Sequence, residues 1–242
     1  MCSMSRQLYQ FKTTEIIDHT SDIRELVLHL EGQPAFKFRA GQFVMLHVPV
    51  EGQEKPALRA YSIASTEHQL NGFKLIFKFV ENGVASQFVW GLKGGELLNF
   101  TGPFGKVFFQ EPPTDQVVFL NTGSGISQHF SFLESKMKEY PNLAYKLYFG
   151  VRTEENIYYE SELKRLQQHL PNFEYHYVLS RPSPKWRGKK GYIQNFLPET
   201  DYKKIPTTFY MCGNGAMIKD VKHQLIEIDS IDKSRIWAEA FD

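Results

Sequence analysis

A four-residue segment, Arg59-Ala60-Tyr61-Ser62, carries side chains that suit a nucleotide. It follows an apolar strand predicted for residues 43–48 and begins another strand-like run, so strand alternation places Arg59 and Tyr61 on one face. A guanidinium can meet two phosphate oxygens at once, and a tyrosine ring can cover a planar ligand. Taken alone, however, the segment is more typical of a strand with one exposed arginine and one packed tyrosine.

Composition excludes several classes of protein. The chain has 242 residues, enough for one large or two ordinary domains, and a formal net charge of +1, which does not indicate a nucleic-acid binder. Its two cysteines, Cys2 and Cys212, lie too far apart in sequence to predict a disulfide framework, a zinc site or an iron–sulfur cluster, so we expect no metal. Without a secretory signal or an apolar run of about 20 residues, we expect a cytosolic protein with no membrane partner.

The first half reads as β-rich. A barrel that is closed or nearly closed is predicted, because strands of this length and spacing would otherwise leave edges exposed. The Asn71-Gly72 pair is a strong hairpin signal, and the strand after it places Phe73, Leu75, Phe77 and Phe79 on one face. The predicted strands cover residues 7–17, 23–30, 43–48 and 73–80.

A short helix is predicted for residues 85–92, directly after Gly83 and Val84. Free backbone amides at a helix start favour an anion, and a glycine there lets a phosphate approach closely. Ser86 lies in the first turn of this helix. Capping of the helix by Ser86 and binding of a phosphate are equally compatible with this local pattern.

The second half alternates strands and helices after a polar, proline-containing linker at residues 110–114. This order predicts an open parallel sheet of five strands, whose ligands bind beyond the carboxyl ends of the strands. The strands are predicted at residues 117–120, 144–151, 173–179, 208–211 and 236–240, and the helices at 126–140, 157–170, 192–197 and 216–226.

Four segments follow strands of this predicted sheet. Residues 121–126 (Asn-Thr-Gly-Ser-Gly-Ile) join a strand to a helix and suit the approach of a phosphate. Ser180 and Arg181 precede Lys190, Tyr192 and Gln194, a set that could grip a ribose phosphate or form a solvated basic loop. The other two segments are Cys212-Gly213-Asn214, where the cysteine could simply be a small buried hydrophobe, and residues 237–242, where Glu239 lies between aromatic residues.

Taken in order, these motifs resemble those of the ferredoxin–NADP reductase family. The resemblance implies a two-domain chain, with a Greek-key antiparallel β-barrel that binds FAD at residues 1–110. An open, parallel, five-stranded α/β domain that binds NADP(H) would follow at residues 115–242. The chain departs from the family pattern at Ser127-Gln128, where the family loop has Ala-Pro, and at Phe241, where the plant type has tyrosine.

The resemblance also assigns roles to individual residues. Ser62, Cys212 and Glu239 are implied to act at the flavin N5 and nicotinamide. A second phosphate site at the helix start indicates FAD rather than FMN. The residues expected to bind FAD are Arg59, Tyr61, Ser62, Phe77, Lys78, Phe79, Gly83, Val84, Ala85, Ser86 and Phe241, and those expected to bind NADP(H) are Thr122, Gly123, Ser180, Arg181, Lys190, Tyr192 and Gln194.

The activity implied by the resemblance is hydride transfer between NADPH and FAD, with single electrons passed to a small carrier such as ferredoxin or flavodoxin. We expect a monomer. Two alternatives stay open. One is an NADH-dependent reductase component that serves an oxygenase or a haem protein. The other is a subunit that keeps the fold for assembly or nucleotide sensing without turnover. The sequence identifies neither the electron acceptor nor the direction of electron flow.

Overall fold

A computed structural model describes residues 7–32 and 35–241. The chain divides into two compact units, Met1–Phe108 and Phe109–Asp242. The predicted domain limits, residues 110 and 115, stay predictions. Cys2 and Asp242 lie outside the described residues.

The first unit contains an antiparallel sheet of six strands in the order β4-β3-β6-β1-β2-β5. Its two edge strands meet through a bridge between Ile63 and Leu75 and a 2.9 Å hydrogen bond from the Ala64 amide to the Lys74 carbonyl. These contacts close the sheet into the predicted barrel. The elements are β1 (Leu8–Asp18), β2 (Ile23–Leu30), β3 (Phe43–Val48), β4 (Ala57–Ser62), β5 (Gly72–Lys78), the helix α1 (Val84–Gly91) and β6 (Leu97–Phe104).

The barrel interior is filled by alternating apolar side chains, as in β3, where Val44, Leu46 and Val48 are fully buried. Phenylalanine rings from several strands meet near its centre, and Phe11 lies 4.5 Å from Phe73 between ring centroids. The prediction that Phe79 continues the inward face of β5 is wrong. The strand ends at Lys78, and Phe79 is 39% exposed.

The second unit contains a parallel sheet in the order β10-β9-β8-β7-β11-β12. The central strands read as continuous apolar runs because both of their faces are covered. The fold class is confirmed, and the structure adds a two-residue edge strand, β10, to the five that were predicted. The strands are β7 (Gln116–Thr122), β8 (Ala144–Val151), β9 (Phe173–Leu179), β10 (Lys189–Lys190), β11 (Thr207–Gly213) and β12 (Ile236–Ala240).

The three α-helices of this unit are shorter than predicted, whereas the helix predicted for residues 192–197 is a longer 3₁₀ segment. A left-handed residue, Tyr159 (φ 63°), delays the start of α3, and a π-helical turn replaces the end of the helix predicted for residues 216–226. The helices are α2 (Ile126–Lys136), α3 (Glu160–His169) and α4 (Gly215–Lys222), with a 3₁₀ segment at Ile193–Thr200. Across residues 7–32 and 35–241, the structure contains no helix with the length and apolar character of a membrane span.

Candidate functional site

Strand β4 presents Arg59 to solvent and packs Tyr61 against the barrel wall. The Arg59 guanidinium donates a 2.9 Å hydrogen bond to the carbonyl of its neighbour Leu58. The Tyr61 ring lies 4.3 Å from that of Phe77. Burial raises the pKa of Tyr61 to about 12, against a smaller opposing effect of the Arg59 charge, so the hydroxyl remains a donor at neutral pH. This face therefore offers an exposed cation beside a packed aromatic ring.

Ser62 is the buried end of β4, with 4% of its surface exposed. Within the part of the chain that the structure describes, its hydroxyl has no hydrogen-bond partner. A buried polar atom without a partner costs about 1–3 kcal/mol. The position therefore suits a ligand that supplies the missing hydrogen bond.

The interpretation of Ser86 as the cap of α1 is wrong, while binding of a phosphate at this helix start stays a prediction. The Ser86 hydroxyl accepts a 2.9 Å hydrogen bond from the Val80 amide and lies 3.5 Å from the Lys78 carbonyl, so it holds the loop between β5 and α1. The helix begins after Gly83 without a side-chain cap. An anion at this helix start would meet the first-turn amides of residues 84–86, which have no partner within the helix.

The end of β5 brings only one of its three predicted site residues to Tyr61. Phe77 is buried beneath that ring. Lys78 is exposed and lies 4.0 Å from the Asp22 carboxylate, while the Phe79 ring packs at 5.2 Å on Trp90. Contact of Lys78 and Phe79 with a flavin stays a prediction.

In the second unit, the turn after β7 is fitted closely to the end of β11. Thr122 Oγ1 accepts a 2.8 Å hydrogen bond from the Asn214 amide. A Cβ atom built on Gly125 would lie 2.4 Å from the Cys212 carbonyl oxygen, so only glycine fits there. Tyr158, which we did not predict, donates a 3.1 Å hydrogen bond to the Gly123 carbonyl. The turn is thus held by the end of β11 and by the segment that precedes α3.

Cys212 and Glu239 are direct partners in the parallel register of β11 and β12. Burial and the nearby Glu239 charge raise the pKa of the Cys212 thiol, which keeps it neutral. Burial also raises the pKa of Glu239, although a hydrogen bond from the Gln128 amide opposes this shift. Phe241 follows them, with its amide 2.9 Å from the Gly213 carbonyl and its ring 38% exposed. Two of the three predicted catalytic residues therefore lie side by side at a carboxyl edge.

Ser180 and Arg181 follow β9 and are tied to the end of β8 through hydrogen bonds of 3.1 and 2.8 Å to the Val151 and Arg152 carbonyls. Arg181 borders a surface pocket of about 600 Å³. The pocket is lined by Thr153, Glu154, Glu155, Arg181, Pro182, Ser183, Lys185 and Trp186.

The remaining residues of this predicted set are not among those that line the pocket. Lys190 lies near enough for its charge to act on Glu154. Tyr192 is 64% exposed, and the Gln194 amide donates a 3.1 Å hydrogen bond to Asp220. Their contact with a nucleotide stays a prediction.

Glu154 is a second site residue that sequence reasoning missed, after Tyr158. Its carboxylate accepts hydrogen bonds from the Ser183 hydroxyl (2.6 Å) and amide (3.0 Å), and the hydroxyl bond is the main cause of its lowered pKa. The only signal in the sequence was its place just beyond the end of a predicted strand, and nothing there indicated a contact with a residue 29 positions away.

An antiparallel barrel followed by an open parallel sheet offers two separate units that could each bind a nucleotide. The family models identify the class as an oxidoreductase that binds FAD and a nicotinamide nucleotide. Residues 10–109 match the oxidoreductase FAD-binding domain, and residues 119–223 match the oxidoreductase NAD-binding domain.

Curated relatives support the same class. Ferredoxin–NADP reductase B of Sorangium cellulosum is 31% identical over 228 residues, which cover 91% of this chain and 92% of the relative. The anthranilate 1,2-dioxygenase electron transfer component of Acinetobacter baylyi is 29% identical over 232 residues, covering 94% of this chain but only 64% of that protein. Among solved structures, the Amycolatopsis cytochrome P450 reductase GcoB has a TM-score of 0.85 and 25% identity, covering 97% of this chain and 70% of that one.

The chain belongs to the ferredoxin–NADP reductase family of FAD- and NAD(P)-binding oxidoreductases. The resemblance drawn from the sequence motifs is thus confirmed. The residues of the first unit also fit FAD, because Arg59, the buried Ser62 hydroxyl and the first-turn amides of α1 offer the donors that a flavin with a pyrophosphate needs.

Proposed function

We propose that the protein oxidises NADPH through bound FAD and passes single electrons to a small carrier of the ferredoxin or flavodoxin type. The observation that carries this proposal is the register pairing of Cys212 with Glu239 beside the turn at Gly123–Gly125. It places a neutral thiol and a carboxylate where ligands of open parallel sheets bind. Flavin supplies the chemistry that accepts a hydride and releases electrons one at a time.

The chain's own side chains hold and orient the two nucleotides. Arg59 pairs with the pyrophosphate, Tyr61 covers the flavin and its ribityl chain, and Ser62 donates a hydrogen bond near N5. In the second unit, Cys212 and Glu239 fix the nicotinamide, where a misplacement of about 1 Å can cost about 100-fold in rate.

Preference for NADPH depends on the cations at the end of β9. Arg181 and Lys185 border the pocket beyond this strand, and a guanidinium there can grip a 2′-phosphate. We expect Arg181→Ala to raise the KM for NADPH by about tenfold or more while the KM for NADH changes little, because one charge-assisted hydrogen bond is lost.

Arg187→Ala is the matched control. It removes the same charge from the same loop, but Arg187 is exposed and donates a 3.1 Å hydrogen bond to the Pro184 carbonyl within that loop. Steady-state kinetics with both nucleotides test whether Arg181 recognises the 2′-phosphate of NADPH. Equal losses with NADPH and NADH in Arg181→Ala, or an equal effect of Arg187→Ala, would remove the 2′-phosphate assignment.

The same pocket favours a second candidate, an NADH-dependent reductase component. Glu154 and Glu155 also line it, and a carboxylate repels a phosphate but accepts hydrogen bonds from ribose hydroxyls. The similarity to an oxygenase electron transfer component points the same way. For an NADH enzyme, Glu154→Gln should raise the ratio of NADPH to NADH turnover, since it removes the repelling charge. An unchanged ratio would contradict a role of Glu154 in this choice.

Turnover of NADPH and NADH with ferredoxin, flavodoxin and a dye as acceptors tests the activity as a whole. Reduction of the dye alone supports a reductase whose carrier is another protein. Failure to reduce any acceptor would favour the remaining alternative, a nucleotide-binding subunit without turnover.

A further inference from the structure

Three strands of the second unit place a row of polar side chains in register. Asn121 on β7 pairs with Cys212 on β11, which pairs with Glu239 on β12. Directly paired residues in neighbouring strands project from the same face of a sheet. The row therefore runs across that face at the carboxyl edge, with the thiol between an amide and a carboxylate.

Helix α2 holds both ends of this row with two successive residues. The Gln128 amide donates a hydrogen bond to Glu239 Oε2, and His129 Nδ1 lies 3.3 Å from Asn121 Oδ1. Gln128 and His129 are both fully buried. Long polar side chains are seldom buried without a hydrogen-bond partner. Glu239 and Asn121 are the partners that this face of α2 contacts.

Position 128 sets this chain apart from the family loop that it resembles. That loop has proline where Gln128 stands, and proline carries no side-chain donor. The Glu239 carboxylate accepts its hydrogen bond from a side chain that lies 111 positions away in sequence. Among the described residues, no other side chain is seen to donate to it. Gln128 thus supplies a side-chain donor at a position where the family pattern has none.

We propose that Gln128 is the positioning residue for Glu239. Its amide fixes one carboxylate oxygen and leaves the other to meet the nicotinamide end of the bound dinucleotide. This inference rests on the proposed function, in which Glu239 contacts the nicotinamide.

The amide also sets the charge of the carboxylate. Burial raises the pKa of Glu239, and the Gln128 hydrogen bond acts in the opposite direction. The titratable group facing Glu239 from β11 is the Cys212 thiol, whose raised pKa keeps it neutral. On α2, burial lowers the pKa of His129 to about 3, so this ring is neutral as well. Loss of the amide should therefore raise the pKa of Glu239 further, by about one unit for one hydrogen bond to a charged group.

Gln128→Met is the test variant, because methionine keeps the length and flexibility of glutamine without its donor. Gln167→Met is the matched control. It makes the same change on α3, where the Gln167 amide donates a 3.3 Å hydrogen bond to the Phe173 carbonyl and not to a carboxylate. The FAD-loaded proteins are compared by carbon-13 NMR titration of the Glu239 carboxyl, assigned with Glu239→Gln. Anaerobic stopped-flow measurement of flavin reduction by NADPH is then made across pH.

We expect Gln128→Met to raise the measured pKa of Glu239 by about one unit and to move the acidic limb of the rate profile by the same amount. Flavin reduction near neutral pH should fall about tenfold with little change in KM, since the carboxylate is less well held. The control should change neither. In a Glu239→Gln background, Gln128→Met should have no further effect on the pH profile.

An unchanged Glu239 titration in Gln128→Met would overturn the inference. So would a shifted titration without a matching shift in the rate profile, or a rate loss equal at every pH. The titration needs no turnover. A wild-type protein whose flavin is reduced by neither NADPH nor NADH would therefore refute the proposed function separately, while the titration still decides whether Gln128 controls the carboxylate.

Discussion

Gly125 offers a direct perturbation of the strand end that carries Cys212. A Cβ atom at this position would lie 2.4 Å from the Cys212 carbonyl oxygen, 2.6 Å from its carbonyl carbon and 3.0 Å from the Gly213 nitrogen. All three are backbone atoms, so no side-chain rotation can relieve the overlap. Gly125→Ala must therefore displace either the turn after β7 or the end of β11.

The size of the displacement follows from these distances. Non-bonded heavy atoms prefer separations of about 3.5 Å, so the backbone must move by about 1 Å. Overpacking of this kind costs about 1–3 kcal/mol in the free energy of unfolding. A misplacement of about 1 Å can also slow a reaction about 100-fold. Because the residues proposed to hold FAD lie in the first unit, the variant should keep its flavin.

Two other glycines serve as controls. Gly91 at the end of α1 has no atom within 4 Å of an added Cβ, so Gly91→Ala should stabilise the protein by about 0.5 kcal/mol. Gly123 is equally open but has φ +52°, so Gly123→Ala should cost about 1–2 kcal/mol through backbone strain alone. Only Gly125→Ala should lose hydride transfer through displacement of Cys212.

The assays are thermal unfolding and anaerobic flavin reduction by NADPH, with flavin content measured by absorbance. If the flavin of Gly125→Ala is reduced by NADPH at the wild-type rate and the stability of the variant is unchanged, the close approach of the turn to β11 does not affect function. The same conclusion would follow if Gly125→Ala and Gly91→Ala behaved alike in both assays.

Two further predictions concern single side chains. Ser62→Ala removes a buried hydroxyl that lacks a partner in the described chain, so the melting temperature of the apoprotein should not fall; flavin reduction should slow about tenfold or more. A fall in the melting temperature of the Ser62→Ala apoprotein would contradict this assignment. Burial raises the pKa of Asp229, but three donors outweigh it and hold the pKa at about 2: Lys203, Tyr202 and Gln224. Because this pKa is lowered on folding, Asp229→Asn should destabilise the protein near neutral pH. In denaturant titrations, the difference in the free energy of unfolding between wild type and variant should narrow as the pH falls below 4 towards 2. A difference that stays constant over this range would refute the role of the Asp229 charge.

Much of the fold could be predicted because local pattern and tertiary environment agree. The strands at Ile23–Leu30, Phe43–Val48 and Ala144–Val151 match their predicted limits, since their apolar pattern continues to both ends. The edge strand Lys189–Lys190 could not be predicted. It is two charged residues long, and only its pairing with the end of β9 makes it a strand.

The candidate site was predictable where its residues lie together in sequence or at strand ends, as with Arg59, Tyr61 and Ser62. Contacts between distant residues were not predictable. The bond of Gln128 to Glu239 depends on how α2 lies over the sheet, and that of Glu154 to Ser183 depends on the shape of a loop. Neither arrangement leaves a local signal in composition or periodicity.

The most direct measurement is anaerobic mixing of the FAD-loaded protein with one equivalent of NADPH, followed by absorbance of the flavin. We predict that the flavin is reduced in a single turnover, and that Glu239→Gln and Cys212→Ala slow this step without releasing FAD. A flavin that stays oxidised with both NADPH and NADH would contradict the proposal that the protein oxidises a nicotinamide nucleotide through bound FAD.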